Sequence, residues 1–124
     1  MKIRLVALAL LGASRICSAQ EMSPALAALE ADGKPRFLEC ATVFFAAARG
    51  SPSTRYDELY SAGEYAFNVA ILLRGRESAD RLQSEIAARL MNEISQDLFR
   101  VGELEQKYGP ACLKLLAEAG YSKP

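Results

Sequence analysis

The 124-residue chain contains no histidine. That absence removes the usual general base, the usual zinc and haem ligand, and every Ser-His or Cys-His nucleophile pair. The chain also has no long hydrophobic run: the apolar stretch from Leu5 to Ala13 is about half of what a helix needs to cross a bilayer. It has no excess of positive charge, because fifteen Lys plus Arg face fifteen Asp plus Glu. No internal repeat is found, and no strand-like alternation runs long enough to argue for a sheet. Cysteine is scarce, at three residues.

What is present is the profile of one globular domain, 51% hydrophobic and 24% charged. The opening stretch "MKIRLVALALLGASRICSAQ" has a basic start at Lys2 and Arg4, then an apolar run, then the small residues Cys17 and Ala19 before Gln20. That order predicts a secretory signal peptide over residues 1–19, cut near Ala19, followed by a single all-helical exported domain over residues 20–124. Three other readings of the stretch fit less well. A membrane anchor is too short, lipidation of Cys17 would follow Arg15 and Ile16 rather than small residues, and a buried amphipathic helix does not account for the charge order. The predicted location is therefore periplasmic or secreted, with no stable membrane anchor.

The cut would remove Lys2, Arg4 and Arg15, leaving twelve basic residues against fifteen acidic ones, a net charge of −3. Nucleic acid is not an expected partner of such a chain. The same cut leaves Cys40 and Cys112 as the two remaining cysteines, bound for an oxidising compartment where one bridge is the expected outcome.

The mature chain reads as a small all-α bundle of about four helices plus a short N-terminal helix, stapled by one disulfide. "SPALAALEADG" predicts the short helix, capped by Ser23, opened by Pro24 and ended by Gly33. In "KPRFLECATVFFAAARG", Phe37, Cys40, Phe44 and Ala47 fall on one helical face. After the break "GSPST", Thr54 and Asp57 suggest the start of a third helix running to Gly75. Its stripe of Leu59, Ala62, Ala66, Val69 and Leu73 adjoins a second one through Tyr56, Tyr60, Gly63, Phe67 and Ala70. So wide a stripe predicts a central helix, and it also admits a homodimer contact. Asn68 falls on the remaining, solvated face.

From Glu77 to Tyr108 the pattern stays helical, with Leu82, Ile86, Leu90, Ile94, Leu98 and Val101 inward and a bend at Gly102. The opposite face, Glu77, Arg81, Glu85, Arg89 and Glu93, reads as a solvated ladder of weak ion pairs. Gly109 and Pro110 predict the start of a last helix, Cys112, Leu115, Leu116 and Ala119 its inner face, and Gly120 its end. Cys40 and Cys112 thus sit on inward stripes of an early and a late helix.

No catalytic or cofactor constellation emerges. Asp57 with Glu58, or Glu103 with Glu105, lie too close along a helix to converge on one substrate. An exported helical enzyme such as a chorismate mutase works without histidine, but its active-site pattern finds no match in Arg74, Arg81, Arg89 or Gln83. The sequence therefore predicts a protein that is not an enzyme, takes no cofactor or metal, and acts by binding another protein. Candidate surface residues are Arg55, Tyr56, Tyr60 and Tyr65, a residue mix favoured at interface centres, with Arg74 and Arg76 flanking the turn in "LLRGRES". The competing reading of Tyr56 and Tyr60 is inward packing with hydroxyls at the rim. In plan, with a signal peptide and cysteines on an early and a late helix (Cys40 and Cys112), the chain is similar to the all-helical, disulfide-bearing amidase immunity proteins of type VI secretion. That resemblance implies an inhibitor of an envelope-targeting toxin. The alternative is a periplasmic stress chaperone, a holdase of the small disulfide-linked helical type, whose pH sensing would rest on carboxylates alone.

Overall fold

The computed structural model describes residues 24–123. The signal peptide predicted over residues 1–19, the cleavage point near Ala19 and the Ser23 cap all lie outside the described residues. The chain divides between Ala31 and Asp32 into two units. In the first, the described structure is the short helix α1 (Pro24–Ala28), followed by turns. The second holds four long helices, α2 (Arg36–Gly50), α3 (Ser53–Arg74), α4 (Arg76–Glu93) and α5 (Val101–Glu118), with a 3₁₀ turn at Leu98–Arg100. The fold is all-α, with no strand among the described residues.

The central element is α2 rather than the third helix. Phe37, Leu38, Ala41, Val43 and Phe44 are buried, and so are Cys40, Ala47 and Ala48. These positions cover most of the helix circumference, while Glu39, Phe45, Ala46 and the last residues, Arg49 and Gly50, stay at least partly open. Alanine at 41, 47 and 48 keeps its girth small, so α3, α4 and α5 all pack directly on it. The polar Thr42 is satisfied within the helix, donating from Oγ1 to the Leu38 carbonyl at 2.8 Å. By contrast α3 buries one stripe, Leu59, Ala62, Gly63, Ala66, Val69 and Ala70, and leaves Asn68 in solvent. It begins at Ser53 behind Pro52, and the Thr54 side chain caps nothing.

Gly63 is where α2 and α3 meet most closely. A Cβ there would stand 2.6 Å from Cε1 of Phe45, so the Phe45 ring occupies the space a side chain would need. At the other end of α3, Gly75 turns the chain with φ 85°, a conformation glycine adopts without steric cost, and its N–H closes α3 onto the Ile71 carbonyl at 2.8 Å. Helix α4 then starts against α3, with Arg76 over the Phe67 ring, and ends against α5, where Lys107 and Tyr108 hold Glu93.

The long helix predicted from Glu77 to Tyr108 is broken, though not at Gly102. Helix α4 stops at Glu93, and Ser95 and Gln96 both take left-handed conformations, φ 55° and 61°. The buried Ile94 anchors the stop from inside, and the Gln96 N–H returns to the Met91 carbonyl at 2.8 Å. Leu98, given an inward place by the helical spacing, falls beyond this break and is exposed. Gly102 sits in the first turn of α5 with open space around it.

Gly109 and Pro110 do not start a helix either, because α5 runs straight through them. Proline is disfavoured after a helical residue chiefly through its clash with that residue's Cβ and N–H. Gly109 has no Cβ, and Pro110 faces solvent, where water serves the freed Gln106 carbonyl. The helix ends before Gly120, whose φ of 95° closes the final turn as the sequence predicts.

Cys40 and Cys112 are bonded, with Cα atoms 5.5 Å apart at positions 72 apart in sequence. A closure of that length removes about 4 kcal/mol of chain entropy from the unfolded state in the loop model. The Cys40→Ala/Cys112→Ala variant is therefore expected to lose about 3–4 kcal/mol of urea-unfolding free energy. The oxidised chain should also be lighter than the reduced chain by two hydrogens in mass spectrometry.

Two glycine substitutions should move stability in opposite directions. Gly63→Ala collides with Phe45 and is expected to lower stability by about 1–3 kcal/mol. Gly102→Ala meets nothing and should raise it by about 0.5–1 kcal/mol. Thermal denaturation of the two variants beside the parent chain gives the comparison.

Candidate functional site

An open groove of about 490 Å³ lies where α2, α3 and α4 meet. Phe45, Ala46 and Arg49 of α2 form one wall, Tyr56 and Tyr60 of α3 a second, and Gln83, Ala87 and Met91 of α4 a third, with Leu90 and Leu104 at the floor. The small Ala46 and Ala87 keep it open where larger side chains would fill it.

Tyr56 and Tyr60 stack at 5.6 Å between ring centroids, one helical turn apart, and Phe45 meets Tyr60 at 5.3 Å. They are 42% and 40% exposed, so their rings line the groove rather than entering the core. The inward packing weighed for them does not occur, because Phe45 and Gly63 already fill the space between α2 and α3. Among the described residues, neither tyrosine hydroxyl has a hydrogen-bond partner in the protein, and neither does the Arg49 guanidinium or the Gln83 amide. An apolar floor with uncommitted polar groups around it is the usual composition of a binding surface.

The other sequence candidates are engaged in holding the fold. Arg55 makes a two-pronged pair with Glu105 of α5, at 3.1 and 2.7 Å. Tyr65 donates its hydroxyl to the Ala119 carbonyl at 2.7 Å and packs on Tyr121, away from the groove. Arg74 donates to the Gly33 carbonyl at 3.1 Å, and Arg76 pairs with Asp80 while covering Phe67. The structure thus brings together Tyr56 and Tyr60 and separates Tyr65 and Arg74 from them. Phe45, Arg49, Gln83 and Met91 were not among the sequence candidates. The doublet Phe44-Phe45 carries a signal for one of them, since adjacent helical residues point in different directions and both cannot face one core stripe.

Three of the four carboxylates considered for acid–base work are held in ion pairs. Glu103 is held by Arg100, Glu105 by Arg55, and Glu58 by Lys123 at 3.2 Å. Among the described residues no group of three acidic or cysteine side chains is placed to hold a metal ion, and no helix is long and apolar enough to cross a membrane. Comparison with family models, with curated proteins and with solved structures finds no match for the chain.

The exposed ladder on α4 serves tertiary ties at its C-terminal end. Arg89 reaches Glu39 of α2 at 2.8 Å, and Glu93 accepts from the Tyr108 hydroxyl at 2.6 Å and from Lys107 at 3.2 Å. The Tyr108 hydrogen bond, with Lys107 behind it, holds the Glu93 carboxyl below its usual range against the burial that would raise it. Arg36 and the Lys34 N–H likewise hold Asp32 well below that range, and Arg100 lowers Glu103.

For these groups the folded pKa lies below the unfolded one, so their contribution is present above about pH 4.5 and is lost as pH falls through the folded values. No histidine titrates between pH 5 and 8. Urea-unfolding free energy should therefore be nearly flat across the neutral range and decline below about pH 4.5. Tyr108→Phe should cost about 1 kcal/mol at pH 7, and this cost should shrink as the pH falls and Glu93 takes up a proton.

Proposed function

We propose that the protein is an exported, non-enzymatic helical bundle that binds another protein, as an inhibitor or immunity protein against a toxin reaching the cell envelope. The observation that carries this reading is the groove, where the free hydroxyls of Tyr56 and Tyr60 and the free guanidinium of Arg49 surround an apolar floor. Tyrosine and arginine are the residue types most often responsible for binding energy at interface centres. The basic and apolar order of residues 1–19 and the bonded Cys40–Cys112 pair support an oxidising destination. The residual charge of −3 after removal of that segment argues against nucleic acid.

A second reading, a periplasmic holdase, is favoured by a different observation. The ties between helices run through carboxylates, Glu39 with Arg89, Glu93 with Lys107, and Glu105 with Arg55. Acid that protonates Glu93, whose carboxyl is held below its usual range by Tyr108, would loosen the tie between α4 and α5 and expose apolar surface.

One experiment separates the two. The protein encoded beside this chain is tested for binding and for relief of its toxicity, while suppression of aggregation of unrelated clients is measured at pH 3 and pH 7. For the inhibitor, tight binding to the neighbour is expected, lost by at least tenfold in Tyr60→Ala or Arg49→Glu, with no effect on the clients. Broad suppression confined to low pH, indifferent to those substitutions, would replace the inhibitor with the holdase.

A further inference from the structure

The break between α4 and α5 presents the most exposed apolar feature among the described residues. Phe99 is 98% exposed and its neighbour Leu98 is 68% exposed. They are held by a defined turn. The Asp97 carboxylate accepts from the Phe99 N–H at 2.9 Å, Arg100 is clamped by Glu103 through two bonds of 2.9 Å, and the Gln96 side chain donates to Asn92 at 2.8 Å. The turn also contains two consecutive non-glycine residues in the left-handed region, a conformation that residues with a Cβ seldom adopt. Backbone strain of this kind persists where the surrounding structure enforces it, and it concentrates at functional surfaces.

The groove lies at the same end of the bundle. The turn joins Met91 to Leu104, both of which line the groove, and Val101 just beyond it lies against Gly50, the neighbour of the groove residue Arg49. The charges are complementary as well. Asp97, on the knob, has no salt-bridge partner among the described residues, and Arg49, on the groove, has none either.

We propose that the groove of one copy receives the Leu98–Phe99 knob of a second copy, and that the two close about a two-fold axis with both knobs seated and Asp97 of each facing Arg49 of the other. Because knob and groove share one end, a single two-fold operation satisfies both at once and leaves no open contact for further growth. The area is sufficient. Leu98 and Phe99 together expose on the order of 300 Å², and two knobs with the matching groove walls bury on the order of 1,200 Å², the lower bound for a specific interface. The proposal does not require a foreign partner. Where such a partner uses the groove, dimerisation and partner binding exclude each other, so the dimer is the closed, stored form.

The test is sedimentation velocity of the disulfide-bonded chain from about 1 μM to about 1 mM, with two variants. Phe99→Asp changes a residue outside the core, so it leaves the fold in place, as circular dichroism will show. Ala87→Glu obstructs the groove. The expected result is a concentration-dependent dimer in the parent chain, weakened at least tenfold in each variant alone. A mixture of the two variants should recover association, because one knob and one groove remain intact between them. A parent chain that stays monomeric throughout overturns the proposal and leaves the groove to a different occupant. A dimer indifferent to Phe99→Asp also overturns it, as does a mixture that fails to associate, which would mean that knob meets knob.

Discussion

The burial of α2 over most of its circumference is the constraint on which the rest of the molecule depends. Phe37, Leu38, Val43 and Phe44 make it the apolar centre, and three helices must be brought round it to keep water out. The Cys40–Cys112 bond fixes α5 on one side, and the Phe45–Gly63 contact fixes α3 on another. Each long side chain buried there contributes roughly 1.5–3 kcal/mol, so the packing outweighs the exposed ion pairs, which are individually worth less than about 1 kcal/mol. The ion pairs instead set which helices face which: Arg55 with Glu105, Arg89 with Glu39, Lys107 with Glu93.

The groove follows from that arrangement. Helix α4 meets α3 at its start through Arg76 and Phe67 and α5 at its end through Glu93 and Tyr108, and with alanines at 46 and 87 the space between α2, α3 and α4 stays open. The return through Ser95 and Gln96 then carries the chain to Val101, which lies against Gly50 beside the groove. The Cys40–Cys112 bond ties α2 to α5, and the uncommitted polar groups gather at the groove instead.

Much of this architecture could be read along the chain. The helical class, the break at "GSPST", the turn at Gly75, the stop at Gly120 and the pairing of Cys40 with Cys112 follow from periodicity, turn chemistry and cysteine arithmetic. The second break was misplaced because glycine and proline are the strongest local signals, and here they mislead. Gly102 and Pro110 lie inside α5, the one in open space and the other behind a glycine that removes its clash, while the true break uses serine and glutamine. The candidate site was half legible. Tyr56 and Tyr60 stand out by residue type, but Arg55 and Arg74 look equally suitable until their partners Glu105 and Gly33, distant in sequence, are seen beside them.

The sequence by itself determined the chemistry and the elements: no histidine to titrate or ligate, helices by spacing, and one available pair of cysteines. These are local or compositional properties, and neighbouring residues suffice to express them. Only the tertiary structure decided which helix is central, where the long helical stretch divides, and which polar groups remain free. Those outcomes depend on which surfaces meet across the bundle. Among the described residues, an arginine is uncommitted at position 49 and structural at position 55 solely because a carboxylate from α5 reaches the second and none reaches the first.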